Sequence, residues 1–82
     1  MFDFSEALQH LKARARVARS GWNQKGIFIE LQVPDVYSKM TSPYIYLDTT
    51  GLQTNNPDAS KSRVPWLASQ TDLLASDWVL VS

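Results

Sequence analysis

Apolar residues along the chain follow two spacings. Phe4, Ala7, Leu8, Leu11 and Ala15 recur every three to four positions, the period of one helix face. Asp3 followed by Glu6 fits an N-cap with a reciprocal acid. Together they predict an amphipathic helix from Phe4 to Lys12 or Ala13, with His10 on its solvated side. The period then shortens to two. Arg16 to Arg19 reads as a short strand, interrupted by Ser20-Gly21-Trp22-Asn23 and closed off by Gly26. Ile27, Ile29, Leu31 and Val33 alternate with Phe28, Glu30 and Gln32, which predicts a half-buried strand with Phe28 facing away from the core. Pro34-Asp35 ends it. Tyr44-Ile45-Tyr46-Leu47-Asp48 is a second strand, rich in aromatic and β-branched residues. Thr49 to Ser62 is polar and rich in Asn, Ser and Thr, the composition of a long turn between strands. Arg63 to Trp66 resumes strand character, and Pro65 confines it to an edge or a strand end. Ser69 with Asp72 forms a capping box that opens a short helix through Ala75. Asp77 to Val81 reads as a terminal strand, with Trp78 in the core.

These elements add up to one α+β domain over residues 1–82. It holds a small, mostly antiparallel sheet of four to five strands, an N-terminal helix and a short second helix. One helix covers one sheet face. The other face needs a partner subunit or is left with exposed aromatics.

Composition narrows the chemistry. The chain has 82 residues, no Cys and one His. Disulfides, thiolate catalysis, cysteine-based zinc sites and multi-His metal sites are therefore excluded. No metal and no cofactor is expected. No apolar run approaches the roughly 18 residues of a membrane span, and the acidic N-terminus lacks the basic region of a signal peptide. A cytoplasmic setting with no membrane partner is expected. Eight basic and eight acidic residues cancel, which argues against a DNA or RNA polymer as partner. The balance is uneven along the chain. Up to Lys25, five bases stand against Asp3 and Glu6, giving +3, and the remainder carries −3. Such a split suits a small anionic ligand or an acidic face of another subunit, and it equally describes a solvated helix face. No phosphate loop, dinucleotide turn or nucleophile elbow occurs, and the spacing of the carboxylates nominates no acid–base pair. The inventory does not read as an enzyme.

Two segments stand out. In Arg19-Ser20-Gly21-Trp22-Asn23, Gly21 permits a close backbone approach, Trp22 offers a stacking face and Asn23 a donor–acceptor pair. Trp22 plugging the core fits the same residues. In Pro65-Trp66-Leu67-Ala68-Ser69-Gln70-Thr71-Asp72, an aromatic runs into a helix start dense in polar groups, where Ser69 and Asp72 either cap the helix, contact a ligand, or do both. Stacking contributes about 1–3 kcal/mol per base, so two Trp-bearing segments with amide and carboxylate neighbours suit a nucleotide-like molecule.

Phe4-Ser5-Glu6-Ala7-Leu8, Val17-Ala18-Arg19-Ser20-Gly21-Trp22-Asn23, Gly26-Ile27-Phe28-Ile29-Glu30-Leu31, Val64-Pro65-Trp66 and the run Ser69 to Trp78 follow one another in this order. In these runs the chain resembles, over nearly its whole length, the second Thoeris anti-defence family of phage proteins. The resemblance is carried by the motifs together. It implies a non-enzymatic sponge that holds the cyclic nucleotide signal of bacterial Thoeris immunity, a glycocyclic ADP-ribose, inside the host bacterium. Some members also hold cyclic oligonucleotides. It further implies a homotetramer with pockets between subunits. By this resemblance Trp22, Asn23, Phe28, Trp66, Ser69, Gln70 and Asp72 would line the pocket; with Arg19, Gly21, Pro65 and Thr71 of the same two segments they are the candidate ligand-binding residues. Trp22, Phe28 and Trp66 would grip the base, and Arg19 or Arg63 would face the pyrophosphate. Many members close the first helix with Gly, where this chain reads Ala13-Arg14-Ala15. Two other readings remain: a structural or interaction module, and a hydrolase of such a signal.

Overall fold

The computed structural model describes residues 1–22, 25–59 and 61–82. Helix α1 spans Phe4–Lys12, followed by strand β1 at Val17–Arg19, β2 at Phe28–Gln32, β3 at Tyr44–Asp48 and β4 at Arg63–Pro65. A short helix α2 at Gln70–Leu74 and strand β5 at Trp78–Leu80 complete the chain. The five strands form an antiparallel sheet in the order β4-β3-β2-β1-β5. The expected α+β class holds, and Pro65 does sit in an edge strand.

The ends of α1 are local chemistry. Asp3 Oδ1 accepts from the Glu6 N–H at 3.0 Å, which supplies a partner for one of the free donors of the first turn. The Glu6 carboxylate faces His10 at 3.9 Å. At the other end Arg14 takes φ +70°, the left-handed conformation for which glycine is favoured after a helix. The chain therefore turns out of the helix without the glycine. His10 faces Glu6 on the polar side of the helix and gains a neighbour that helix phase does not predict: its ring lies 4.9 Å from that of Phe2, centroid to centroid. The N-terminal residue pair packs back because Phe2 bridges the backbone of Trp78.

Strand register sorts the two sheet faces. Val17 pairs with Ile29, Ile29 with Leu47, and Leu47 with Val64, while Arg19 pairs with Trp78 and Leu31 with Ile45. This face carries α1, and Ala7, Leu11, Val17, Ile29 and Trp78 are fully buried beneath it. Residues one position away point to the opposite face: Ala18 beside Val79, Phe28 beside Asp48, Glu30 beside Tyr46, and Gln32 beside Tyr44. No helix covers that face among the described residues, so Phe28, Tyr44 and Tyr46 stay only partly buried on it.

The Thr49 to Ser62 segment is an expanded turn of the β3–β4 hairpin. Thr49 and Ser62 clasp its base, with Thr49 N donating to Ser62 O at 2.9 Å and Ser62 N to Thr49 Oγ1 at 2.8 Å. Near this base a one-residue bridge joins Lys25 to Gln53. Gly26 makes the bridge possible: its φ is +88°, and a Cβ there would stand 1.9 Å from the Gly51 carbonyl oxygen. Gly26→Ala is expected to break the bridge and destabilise the chain by at least the roughly 1–3 kcal/mol of a strained backbone position. Urea unfolding, with amide exchange at Gln53, measures both effects.

Candidate ligand-binding site

The two segments singled out by sequence meet in space. Because β5 lies beside β1, Arg19 stands directly across from Trp78, and the helix start that precedes Trp78 folds onto the same spot. The Arg19 guanidinium is held between two carboxylates. Its Nε donates to Asp77 Oδ1 at 2.8 Å and its NH1 to Asp72 Oδ1 at 3.0 Å. Asp77 Oδ2 also accepts from the Gly21 N–H at 2.8 Å. A Cβ on residue 21 would lie 2.5 Å from that oxygen, so glycine is required for the close approach. Asp72 closes the capping box, with the Ser69 N–H donating to Oδ2 at 3.2 Å and the Asp72 N–H to Ser69 Oγ at 3.0 Å.

These bonds set the charges. Hydrogen bonds to Asp77 and then Asp72 hold the Arg19 guanidinium above its ordinary value against the opposing effect of burial. Asp77 is held low, first by Arg19 and then, against partial burial, by the Gly21 N–H. For Asp72, burial pushes upward, and Arg19, Ser69 and the Trp22 indole together outweigh it, leaving the carboxyl below its usual value. The cluster is thus one fixed cation and two fixed anions.

Around it stand four aromatic rings. Trp78 is fully buried, with Phe4 at 5.3 Å, Trp22 at 5.6 Å and Trp66 at 6.0 Å, the last two edge-on. Trp78 Nε1 donates to the Asp72 carbonyl at 3.0 Å. Trp22 and Trp66 are therefore partly core and partly exposed.

Of three recesses on the described surface, the first and third border these residues. One, of about 450 Å³, opens on the uncovered sheet face and is lined by Ala18, Arg19, Ser20, Trp22, Lys25, Gly26, Ile27, Phe28, Val79 and Val81. A second, of about 400 Å³, lies farther along that face among Arg16, Glu30, Gln32, Tyr44, Tyr46, Arg63, Val64 and Pro65. Its charges are already paired: Arg63 with Asp48 at 2.8 Å, and Arg16 with Glu30 at 3.2 Å. Tyr46 donates to Glu30 at 2.8 Å, and burial first, then that bond and the nearby charge, pushes the phenol up to about 12. A third, of about 540 Å³, lies at the β4 edge and includes Phe4, Pro65, Trp66, Ala68 and Leu73.

Arg19, Trp22 and Phe28 therefore line one recess, and Pro65 and Trp66 another. Within one subunit Trp22, Phe28 and Trp66 do not close on a single space. Gln70 and Thr71 are exposed in the first turn of α2. Asn23 lies outside the described residues. Two participants were not legible from sequence. Asp77 read only as the start of a strand, and Lys25 only as one base among five. Both acquire a place through the pairing of β1 with β5 and of Lys25 with Gln53, contacts that leave no local pattern.

The description "Thoeris anti-defense 2-like domain" matches residues 2–81. The chain belongs to the Thoeris anti-defense 2 family. A protein of Bacillus phage SP01 named "Thoeris anti-defense 2" is 37% identical over 83 residues, spanning 96% of this chain and 93% of that relative. Matched along almost its whole length, this family member carries both Trp-bearing segments inside the shared region. No helix among its described residues is long and apolar enough to cross a membrane, and no group of three or more His, Cys, Asp or Glu there could hold a metal ion.

Proposed function

We propose that this protein is a sponge: it binds a glycocyclic ADP-ribose signal of Thoeris immunity, holds it without cleaving it, and so blocks the defence inside the host bacterium. Cyclic oligonucleotides are a second ligand class for the same activity. The observation that carries the reading is the Trp22–Phe28 recess. At about 450 Å³ it has the volume of a small-ligand pocket. It offers two aromatic faces for a base, and the Arg19–Asp77–Gly21 contacts fix one wall in advance of binding. Such pre-organisation lowers the entropy lost on binding. The carboxylates nearest the recess are locked against Arg19, which suits holding a ligand and not proton transfer to it.

The recess opens on the sheet face that lacks a helix. A homotetramer, as the family resemblance implies, would cover that face and bring the Trp66 wall of one subunit toward the Trp22–Phe28 wall of another. Native mass spectrometry of protein expressed beside an active signal-producing system tests this. The expected result is a tetramer whose mass exceeds that of four chains by whole numbers of intact signal. Chains carrying no added mass in the presence of signal contradict the reading.

A further inference from the structure

We propose that Lys25 is the phosphate-contacting residue of the Trp22–Phe28 recess, and that Arg19, the more obvious cation there, is not. This inference rests on the sponge reading.

Two basic side chains line the recess, and its other walls are largely apolar: Ala18, Ile27, Phe28, Val79 and Val81. Arg19 is already bound to Asp72 and Asp77 at 3.0 and 2.8 Å. One guanidinium between two carboxylates leaves that cluster with a charge of −1, so an approaching phosphate meets net repulsion there. Lys25 is different. None of the ion pairs among the described residues involves it, and the undescribed residues Asn23, Gln24 and Ser60 are all uncharged. Among the described residues its ammonium makes one hydrogen bond, to the Ser20 carbonyl at 3.3 Å. That bond lays the side chain across the turn carrying Trp22 and uses one of the three N–H donors of the ammonium.

The backbone beneath Lys25 is fixed. The Gln53 N–H donates to the Lys25 carbonyl at 2.9 Å, and Gly26 seats this bridge against Gly51. A flexible stem thus springs from a pinned Cα at the rim of an aromatic-walled recess. The arrangement suits a ligand with an aromatic ring, stacked on Trp22 and Phe28, and a phosphate or pyrophosphate held by the ammonium as a point charge. Ligand charge would be read at Lys25 and ligand shape by the rings.

Calorimetric titration with glycocyclic ADP-ribose, on wild type, Lys25→Gln and Lys25→Arg, at several salt concentrations, tests the assignment. Lys25 is exposed, so both variants should fold as wild type does by circular dichroism. Lys25→Gln is expected to bind about tenfold more weakly and to lose much of the salt dependence of binding, since salt screens the charge contact. Lys25→Arg is expected to keep both. A Lys25→Gln protein with wild-type affinity and wild-type salt dependence overturns the assignment and leaves the sponge reading standing. A wild-type protein that shows no binding overturns the sponge reading and this inference with it.

Discussion

Trp78→Ala is expected to remove most of the stability of the fold. The indole is wholly buried, lies against Phe4, Trp22 and Trp66, and donates to the Asp72 carbonyl. Truncating a buried aromatic to alanine costs about 3–5 kcal/mol, while small domains have only about 5–15 kcal/mol in total. Here the loss is compounded, because the same ring aligns the two Trp-bearing segments and its backbone anchors Phe2. Urea unfolding followed by circular dichroism should show the midpoint falling steeply, with a partly unfolded baseline already at low denaturant. Trp78→Phe, which keeps a ring but loses the donor to Asp72, should fall between the two. A Trp78→Ala protein within about 1 kcal/mol of wild type would show that the aromatic cluster is not the centre of the core.

The second large effect is expected from Arg19→Leu, and its size depends on pH. Removing the guanidinium leaves the Asp72 and Asp77 carboxylates close together, partly buried and without their cation. In wild type both carboxyls titrate below their unfolded value. Their contribution is therefore fully present above the ordinary aspartate pKa of about 3.9 and is lost as pH falls through the depressed folded values. Arg19→Leu forgoes that contribution. Its thermal midpoint at pH 7 should lie several degrees below that of wild type. The gap should narrow as pH falls below about 4, because the carboxyls protonate first in the unfolded chain and only at lower pH in folded wild type, where Arg19 holds them down. Wild type keeps some acid sensitivity from Asp48. There, burial raises the carboxyl, and hydrogen bonds from Thr50 and Arg63 outweigh it to hold the group low. A gap that is constant from pH 7 to pH 3 would mean Arg19 acts through packing of its stem and not through its charge.

Much of this architecture is written locally. The three-to-four spacing of Phe4, Ala7, Leu8 and Leu11 gives α1, with Asp3 as its cap, and the Ser69–Asp72 capping box gives the start of α2. Alternation from Ile27 to Val33 gives β2 and correctly sends Phe28 to the face away from the core. Pro65 marks the edge strand. The site is less legible, because its contacts join residues far apart in sequence. Arg19 lies 58 positions from Asp77 and 53 from Asp72, and only the β1–β5 pairing reveals that the arginine is neutralised. An arginine beside Gly-Trp-Asn reads as an anion contact when its partners are unknown. His10 shows the same limit on a smaller scale. Helix phase places it on the polar side, and the folded-back N-terminus supplies Phe2 as its neighbour. Trp22 and Trp66 each pack on Trp78 with one part and border a recess with another.

The claim that this family member holds a signal without consuming it has a direct test. Purified protein is mixed with a measured amount of glycocyclic ADP-ribose, free ligand is removed, and the protein is heat-denatured and spun out. The supernatant is then assayed by mass spectrometry and for its ability to activate a Thoeris effector. Sequestration predicts recovery of intact, active signal in fixed proportion to protein, unchanged by long incubation. Recovery of a hydrolysed product, or loss of signal beyond one equivalent per site, would contradict it.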